Sequence, residues 1–201
     1  MKYLSIDIET TGLDPKTADI LEVAAVLDDL KHPEVAVEDL PYFRAVIVQE
    51  RYTTDAYCAS LHKALWDEIK SVDNERIKCS GWYLDAGNIL KKTHYISPNF
   101  LYAIFGDWIF ADFSVKRITP AGKNFGSFDL QHLKKLDSRI EQLFSHRCFD
   151  PGSLYFKVGD KKIPDLATCL ERAGFEKTVK HTALDDARDV IRVLRPKLLK
   201  N

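Results

Sequence analysis

The sequence predicts an α/β fold in which helices pack on a mixed sheet. Three observations lead there. The first 48 residues hold three apolar runs of strand length, joined by short linkers rich in turn residues. Helical and strand-like patterns then alternate to the C-terminus. No repeat, low-complexity segment or linker divides the 201 residues, so a single domain over 1–201 is expected.

Residues 2–9 read as the first strand, 19–27 ("DILEVAAVL") as the second and 42–48 ("YFRAVIV") as the third. Short connections make them an antiparallel meander. Residues 53–70 read as a helix, with Thr53, Thr54 and Asp55 as cap candidates and Leu61, Leu65 and Ile69 recurring every four residues. Residues 73–96 show no clear pattern beyond a loop with a short helix. Ser97-Pro98 opens an apolar helix, "NFLYAIFGDWIFADF". Residues 115–123 read as a fourth strand, placed at an edge or kinked by Pro120. Residues 129–143 read as a helix and 151–157 as one helical turn. A helix over 163–175 is stopped by Gly174, and 182–199 form the last helix.

Hydrophobic content of 45% and charged content of 29% suit a globular protein with a full core. No stretch is long and apolar enough to span a membrane, and Met1 leads into a strand without a signal-peptide pattern, so a cytoplasmic protein is expected. The cysteines, Cys58, Cys79, Cys148 and Cys169, lack zinc-ligand spacing and read as reduced, mostly buried thiols. Net charge is −1, but residues 1–115 carry 11 Lys and Arg against 19 Asp and Glu, and residues 116–201 carry 18 against 11. A basic half can hold a polyanion and an acidic cluster can hold cations; such halves can also interleave and cancel.

Acids appear where core residues belong. Side chains alternate along a strand, so Leu4, Ile6 and Ile8 point one way while Ser5, Asp7 and Glu9 point the other. Neighbouring carboxylates repel unless protonated or neutralised, and a hard divalent cation such as Mg²⁺ or Mn²⁺ is the usual neutraliser. A solvated strand end is the competing reading. In "GKNFGSFDLQHL", Asp129 opens a helix, where Asp also serves as an N-cap. In "HTALDDARDVIRVL", Ala183, Ala187, Val190, Ile191 and Leu194 mark a buried stripe, and Asp186 falls on it. A carboxylate there needs a partner or a metal. Asp185 and Asp189 read instead as solvated partners of Arg188 and Arg192.

These motifs resemble the DEDDh branch of the 3′–5′ exonucleases, which includes RNase T, oligoribonuclease and the proofreading subunit of bacterial DNA polymerase III. The family's D-x-E-T-[ST]-G stands as Asp7 to Gly12. Its Asn with an aromatic residue and then Asp stands as Asn124 through Phe128-Asp129. Its H-x-A-x-x-D-A stands as His181 to Ala187. The resemblance implies an RNase H-like fold, a five-stranded mixed sheet with the first three strands antiparallel, and 146–150 ("HRCFD") as the candidate last strand. It implies two divalent ions, Mg²⁺ or Mn²⁺, held by Asp7, Glu9, Asp129 and Asp186. Asp7 would bridge both, Glu9 and Asp186 would complete the coordination of the first ion, and Asp129 would hold the second, directly or through water. His181 would be the general base. Gly174 and the run "EKTVK" suggest a mobile loop that delivers it when substrate binds.

The substrate implied is the 3′ end of single-stranded DNA or RNA, released as nucleoside 5′-monophosphates. Thr10, Thr11, Gly12 and Leu13 would contact the terminal nucleotide, and Asn124, Phe125 and Phe128 the next. Core packing is the competing reading for Phe128, and Phe125 is the better candidate for base stacking. Lys116, Arg117, Lys123, Lys134, Lys135 and Arg139 could track a phosphate backbone or form ordinary solvated surface. A homodimer and a polymerase partner are both open, and the residues indicate neither. The alternative function is an inactive exonuclease-like module that only binds nucleic acid. Trp66, Trp82, Tyr83 and Trp108, in a segment without motif, read as core by default.

Overall fold

The computed structural model describes residues 1–72, 74–85, 93–113, 117–176 and 182–199. Among them six strands form one mixed sheet in the order β4-β5-β3-β2-β1-β6. The antiparallel meander is present as β1 (Lys2–Thr10), β2 (Ile20–Asp29) and β3 (Tyr42–Ile47). Helices α1 (Ala56–Leu61), α2 (Lys63–Lys70) and α3 (Asn74–Ser80) follow. The segment without pattern then supplies the antiparallel pair β4 (Trp82–Asp85) and β5 (Thr93–Ile96), with β5 lying parallel to β3. This pair extends the sheet beyond the five strands expected. Next come α4 (Leu101–Phe113), β6 (Pro120–Ala121), α5 (Asp129–Leu136), α6 (Pro151–Tyr155), α7 (Leu166–Ala173) and α8 (Ala183–Leu198).

Alternation along β1 sorts the two layers. Leu4, Ile6 and Ile8 pack with Phe43, Phe105, Ile109 and Leu133 beneath α4 and α5. On the opposite face, Tyr3 and Val26 pack against Val190, Ile191 and Leu194 of α8. Each such side chain contributes about 1.5–3 kcal/mol on burial. Helix α2 packs Leu65 and Ile69 against Val46 of β3 and Val48 just beyond it.

Three long elements expected from periodicity are shorter in the structure. The helix over 53–70 begins at the Asp55 cap, whose carboxylate accepts the Cys58 amide at 2.8 Å, and breaks at His62 (φ −103°, ψ 32°). The helix over 129–143 ends at Leu136, because Asp137 is extended and caps the 3-10 turn Ser138–Leu143. The strand over 115–123 contracts to β6, with residues 114–116, and so Lys116, outside the described residues. Gly122 explains the contraction: a Cβ there would lie 2.7 Å from the Ile6 carbonyl oxygen, so the chain crosses close over the β1 edge and turns away. The segment 146–150, expected as the last strand, forms no strand and meets β6 through the isolated bridge of Ala121 with Phe149. Cysteine burial also differs from expectation: Cys169 is buried, Cys58 is half-buried and Cys148 is exposed. No helix among the described residues is long and apolar enough to cross a membrane.

One buried ion pair locks α8 onto the β1–β2 hairpin. Asp28 is fully buried and accepts from Arg195 at 2.8 and 3.1 Å and from the Tyr3 hydroxyl at 2.7 Å. Removing one partner of a buried pair strands the other charge. Arg195→Met is expected to lower unfolding free energy by about 3–5 kcal/mol in urea titration.

Candidate metal and active site

The acids converge at the C-terminal end of β1. Ligand atoms of Asp7, Glu9 and Asp186 all lie within 4.8 Å of one another, with two of the three acids on β1 and the third on α8. Asp186 is 9% exposed, on the buried stripe as expected. The Thr182 hydroxyl caps α8 by accepting the Asp185 amide. Asp189 departs from expectation: it pairs with Arg192 but is buried rather than solvated.

Asp129 is 2% exposed and is the first residue of α5; Phe128 holds the N-cap position without a side-chain bond. The backbone N–H groups of Ile8 and of Asp129 itself favour the charged form of the Asp129 carboxylate. The Ile8 amide is available because β6 pairs only with Leu4 and Ser5 before Gly122 turns away. The sharp exit of the chain at Gly122 thus opens the β1 edge to Asp129.

Burial, followed by mutual repulsion, raises the acids on β1 and α8. Asp7 lies well above the ordinary Asp value through burial and then Asp129, Glu9 and Asp186. Glu9 is pushed up to about 8 and Asp186 to about 7. Burial raises Asp129 to about 8 against the opposing pull of its two amides. Such a set holds protons or a cation, and a compact cluster of carboxylate oxygens fits a hard divalent ion.

Three residues here were not singled out from sequence. Glu22 on β2 sits opposite Glu9 in register and is 1% exposed. Arg44 on β3 donates to Glu22 and, through both terminal nitrogens, to Glu68 at 2.7 Å each. His62 is buried at the α1–α2 break with Nδ1 3.5 Å from Glu9 Oε2. The signal for Glu22 was present: it interrupts "ILEVAAV" as Asp7 and Glu9 interrupt β1.

The substrate candidates divide. Thr10 and Thr11 are buried and tie their loop, Thr10 Oγ1 donating to the Gly12 carbonyl at 2.8 Å and Thr11 Oγ1 accepting the Asp19 amide at 2.8 Å. Gly12 is half-buried, and Leu13 is 85% exposed. Asn124 is exposed in the left-handed region (φ 62°), with its amide on Asp150 and its side chain on Lys123. Phe125 is a correction: it is 2% exposed and packs edge-on against Phe144 in the core, leaving no face for a base. Phe128 packs against the same core and over His132. Lys123, Lys134, Lys135 and Arg139 pair with Asp150, Glu141, Asp19 and Asp137, which favours ordinary surface. His181 and the run 177–180 lie outside the described residues.

No known protein-family profile matches the chain. Oligoribonuclease of Xanthomonas oryzae pv. oryzae is 27% identical over 202 residues, covering 96% of this chain and 86% of the relative. Among solved structures, the nuclease domain of 3′hExo, a DEDDh family member bound to rAMP, aligns with all of this chain and 92% of its own, at 17% identity and a TM-score of 0.66. The fold is that of the DEDDh exonucleases. Escherichia coli ExoI in complex with single-stranded DNA, in a zinc-bound form, also aligns in fold, at 14% identity and a TM-score of 0.58, covering 100% of this chain and 41% of its own.

Stability should report the state of the acids. Glu9, Asp129 and Asp186 lie at about 8, 8 and 7 when folded, against ordinary values of 4.5, 3.8 and 3.8. Between the two sets the folded state binds more protons, so this contribution to stability is full at low pH and is lost as pH rises. In chelator, Tm is expected to fall from about pH 5.5 to about pH 8. Asp7→Asn should flatten that fall, and Mn²⁺ at the upper pH should raise Tm in wild type more than in the variant.

Proposed function

We propose that the protein is a 3′–5′ exonuclease that removes nucleoside 5′-monophosphates from single-stranded nucleic acid, with short RNA as its first substrate class. The observation that carries this reading is the convergence of Asp7, Glu9 and Asp186 within 4.8 Å, on the strand and helix that hold the first and third motifs. The relative named oligoribonuclease and the rAMP bound to 3′hExo favour RNA, while single-stranded DNA on ExoI keeps DNA as the comparison substrate.

Two divalent ions, Mg²⁺ or Mn²⁺, would acidify a water and steady charge on the leaving 3′ oxygen. Asp7, Glu9 and Asp186 would hold one, and Asp7 and Asp129 the other. The Ile8 amide, which favours the charged form of Asp129, would support this role. His181, five residues before Asp186 and directly before the Thr182 cap, would take the proton of the attacking water. Imidazole suits that task because its ordinary pKa lies near 6.5. Leu13, held in solvent by the closed Thr10–Asp19 loop, would lie against the terminal base.

Oligonucleotides of RNA and DNA labelled at the 5′ end test the proposal. A ladder shortening from the 3′ end, abolished by chelator and by Asp7→Ala, is expected. His181→Ala should lower kcat by about 10²–10⁴. Tight binding of the oligonucleotides with no shortening in Mn²⁺ would instead favour a binding module.

A further inference from the structure

We propose that Glu22 and Arg44 form a positioning pair that sets Asp186 in the cation site; this rests on the cation-binding reading above. Helix α8 begins with amides that lack partners within the helix. Thr182 takes that of Asp185, and Glu22 Oε2 takes that of Ala183 at 3.0 Å in a buried contact. Ala183 lies three residues before Asp186, on the same face of the helix. The link from Glu22 therefore fixes the first turn of α8, and so the Asp186 carboxylate, relative to Glu9, which faces Glu22 across the β1–β2 ladder.

Arg44 makes that link durable. It donates Nε–H to Glu22 Oε1, so both oxygens of Glu22 are engaged by protein donors. The remainder of the guanidinium is fixed by Glu68 at 2.7 Å twice and by Thr93 Oγ1 at 2.9 Å, and Glu68 is held in turn by the Tyr95 hydroxyl at 3.0 Å. Without Arg44, Glu22 becomes one more unneutralised buried carboxylate beside Glu9. It would repel the cluster and compete for the ion.

Mn²⁺ binding by titration calorimetry on the full chain, with folding checked by circular dichroism, tests the pair apart from activity. Arg44→Met is expected to weaken Mn²⁺ binding by about tenfold or more, in the range for partners that orient metal ligands. Adding Glu22→Gln to that variant should recover most of the loss, since no unneutralised acid then faces Glu9 across the β1–β2 ladder. Arg44→Lys keeps the charge but not the fork and should bind Mn²⁺ more weakly than wild type and more tightly than Arg44→Met; if the methionine variant does not fold, Arg44→Lys binding as tightly as wild type overturns the pair. The pair is overturned if the double variant binds no better than Arg44→Met, or if Arg44→Lys and Arg44→Met bind alike. Wild type that binds Mn²⁺ in this pattern yet shortens no oligonucleotide overturns the exonuclease reading and leaves the pair standing. Wild type that binds no Mn²⁺ overturns both.

Discussion

Carboxylates buried beside one another drive apart the segments that carry them, unless those segments are tied by something stronger. Here Asp7 and Glu9 come from β1, Asp129 from α5 and Asp186 from α8, and each raises the proton affinity of Asp7. The ties are visible on every side. Strand β1 is clamped by nine paired positions to β2. Helix α8 is bound to the same hairpin at one end by Arg195 on Asp28, and at the other by Glu22 on the Ala183 amide. Between those polar ends runs a continuous apolar seam of Val190, Ile191 and Leu194. Hydrophobic burial supplies the bulk of the attachment, and charged hydrogen bonds fix its angle.

The approach of Asp129 depends on a shortening of the sheet. A full-length fourth strand would cover the Ile8 amide with a carbonyl and hold α5 away from β1. Gly122 lets the chain cross against the Ile6 carbonyl and leave the edge after two residues, and the Ile8 amide beyond that point favours the charged form of Asp129. A second irregularity lies on the other edge of β1, where the register with β2 shifts between Glu9 and Thr10. Bulges of this kind turn side chains at sites where regular pairing would not. Below the shift, Glu9 still faces Glu22; above it, the chain enters the Thr10–Asp19 loop.

What was legible in the sequence followed local rules. Alternation placed Asp7 and Glu9 on one face, helical spacing placed Asp186 on the buried stripe, and Gly174 ended its helix in the left-handed conformation expected (φ 88°). What was not legible depends on partners far away in the chain. The break at His62 falls where its ring meets Glu9, which is 53 residues earlier. The pair β4–β5 forms against β3, and Thr93 of that pair meets Arg44 only in the fold. Phe125 lies between glycines in sequence, which suggested exposure, yet its ring packs against Phe144 across the turn. Turn residues report backbone freedom rather than side-chain direction.

The difference between Phe125 and Leu13 bears on where a nucleic acid would meet the surface. An aromatic ring committed to the core cannot stack on a base, whereas an apolar side chain in solvent, on a loop that cannot fold back over it, can be covered by one. The Leu13 loop is of that kind. Its base is closed by the Thr11 amide on the Asp19 carbonyl at 2.9 Å, by Lys135 on the Ala18 carbonyl at 2.7 Å and by the Thr53 amide on Asp19 at 2.8 Å. These contacts join it to α5 and to the segment before α1, two of the neighbours of the acidic cluster. A base resting on Leu13 would therefore gain its contact without the entropic cost of ordering a flexible loop. The sugar and phosphate that follow that base would then lie toward Glu9, only four residues away along the chain. The closed loop that carries Leu13 and the close spacing of the acids thus come from the same end of the same strand.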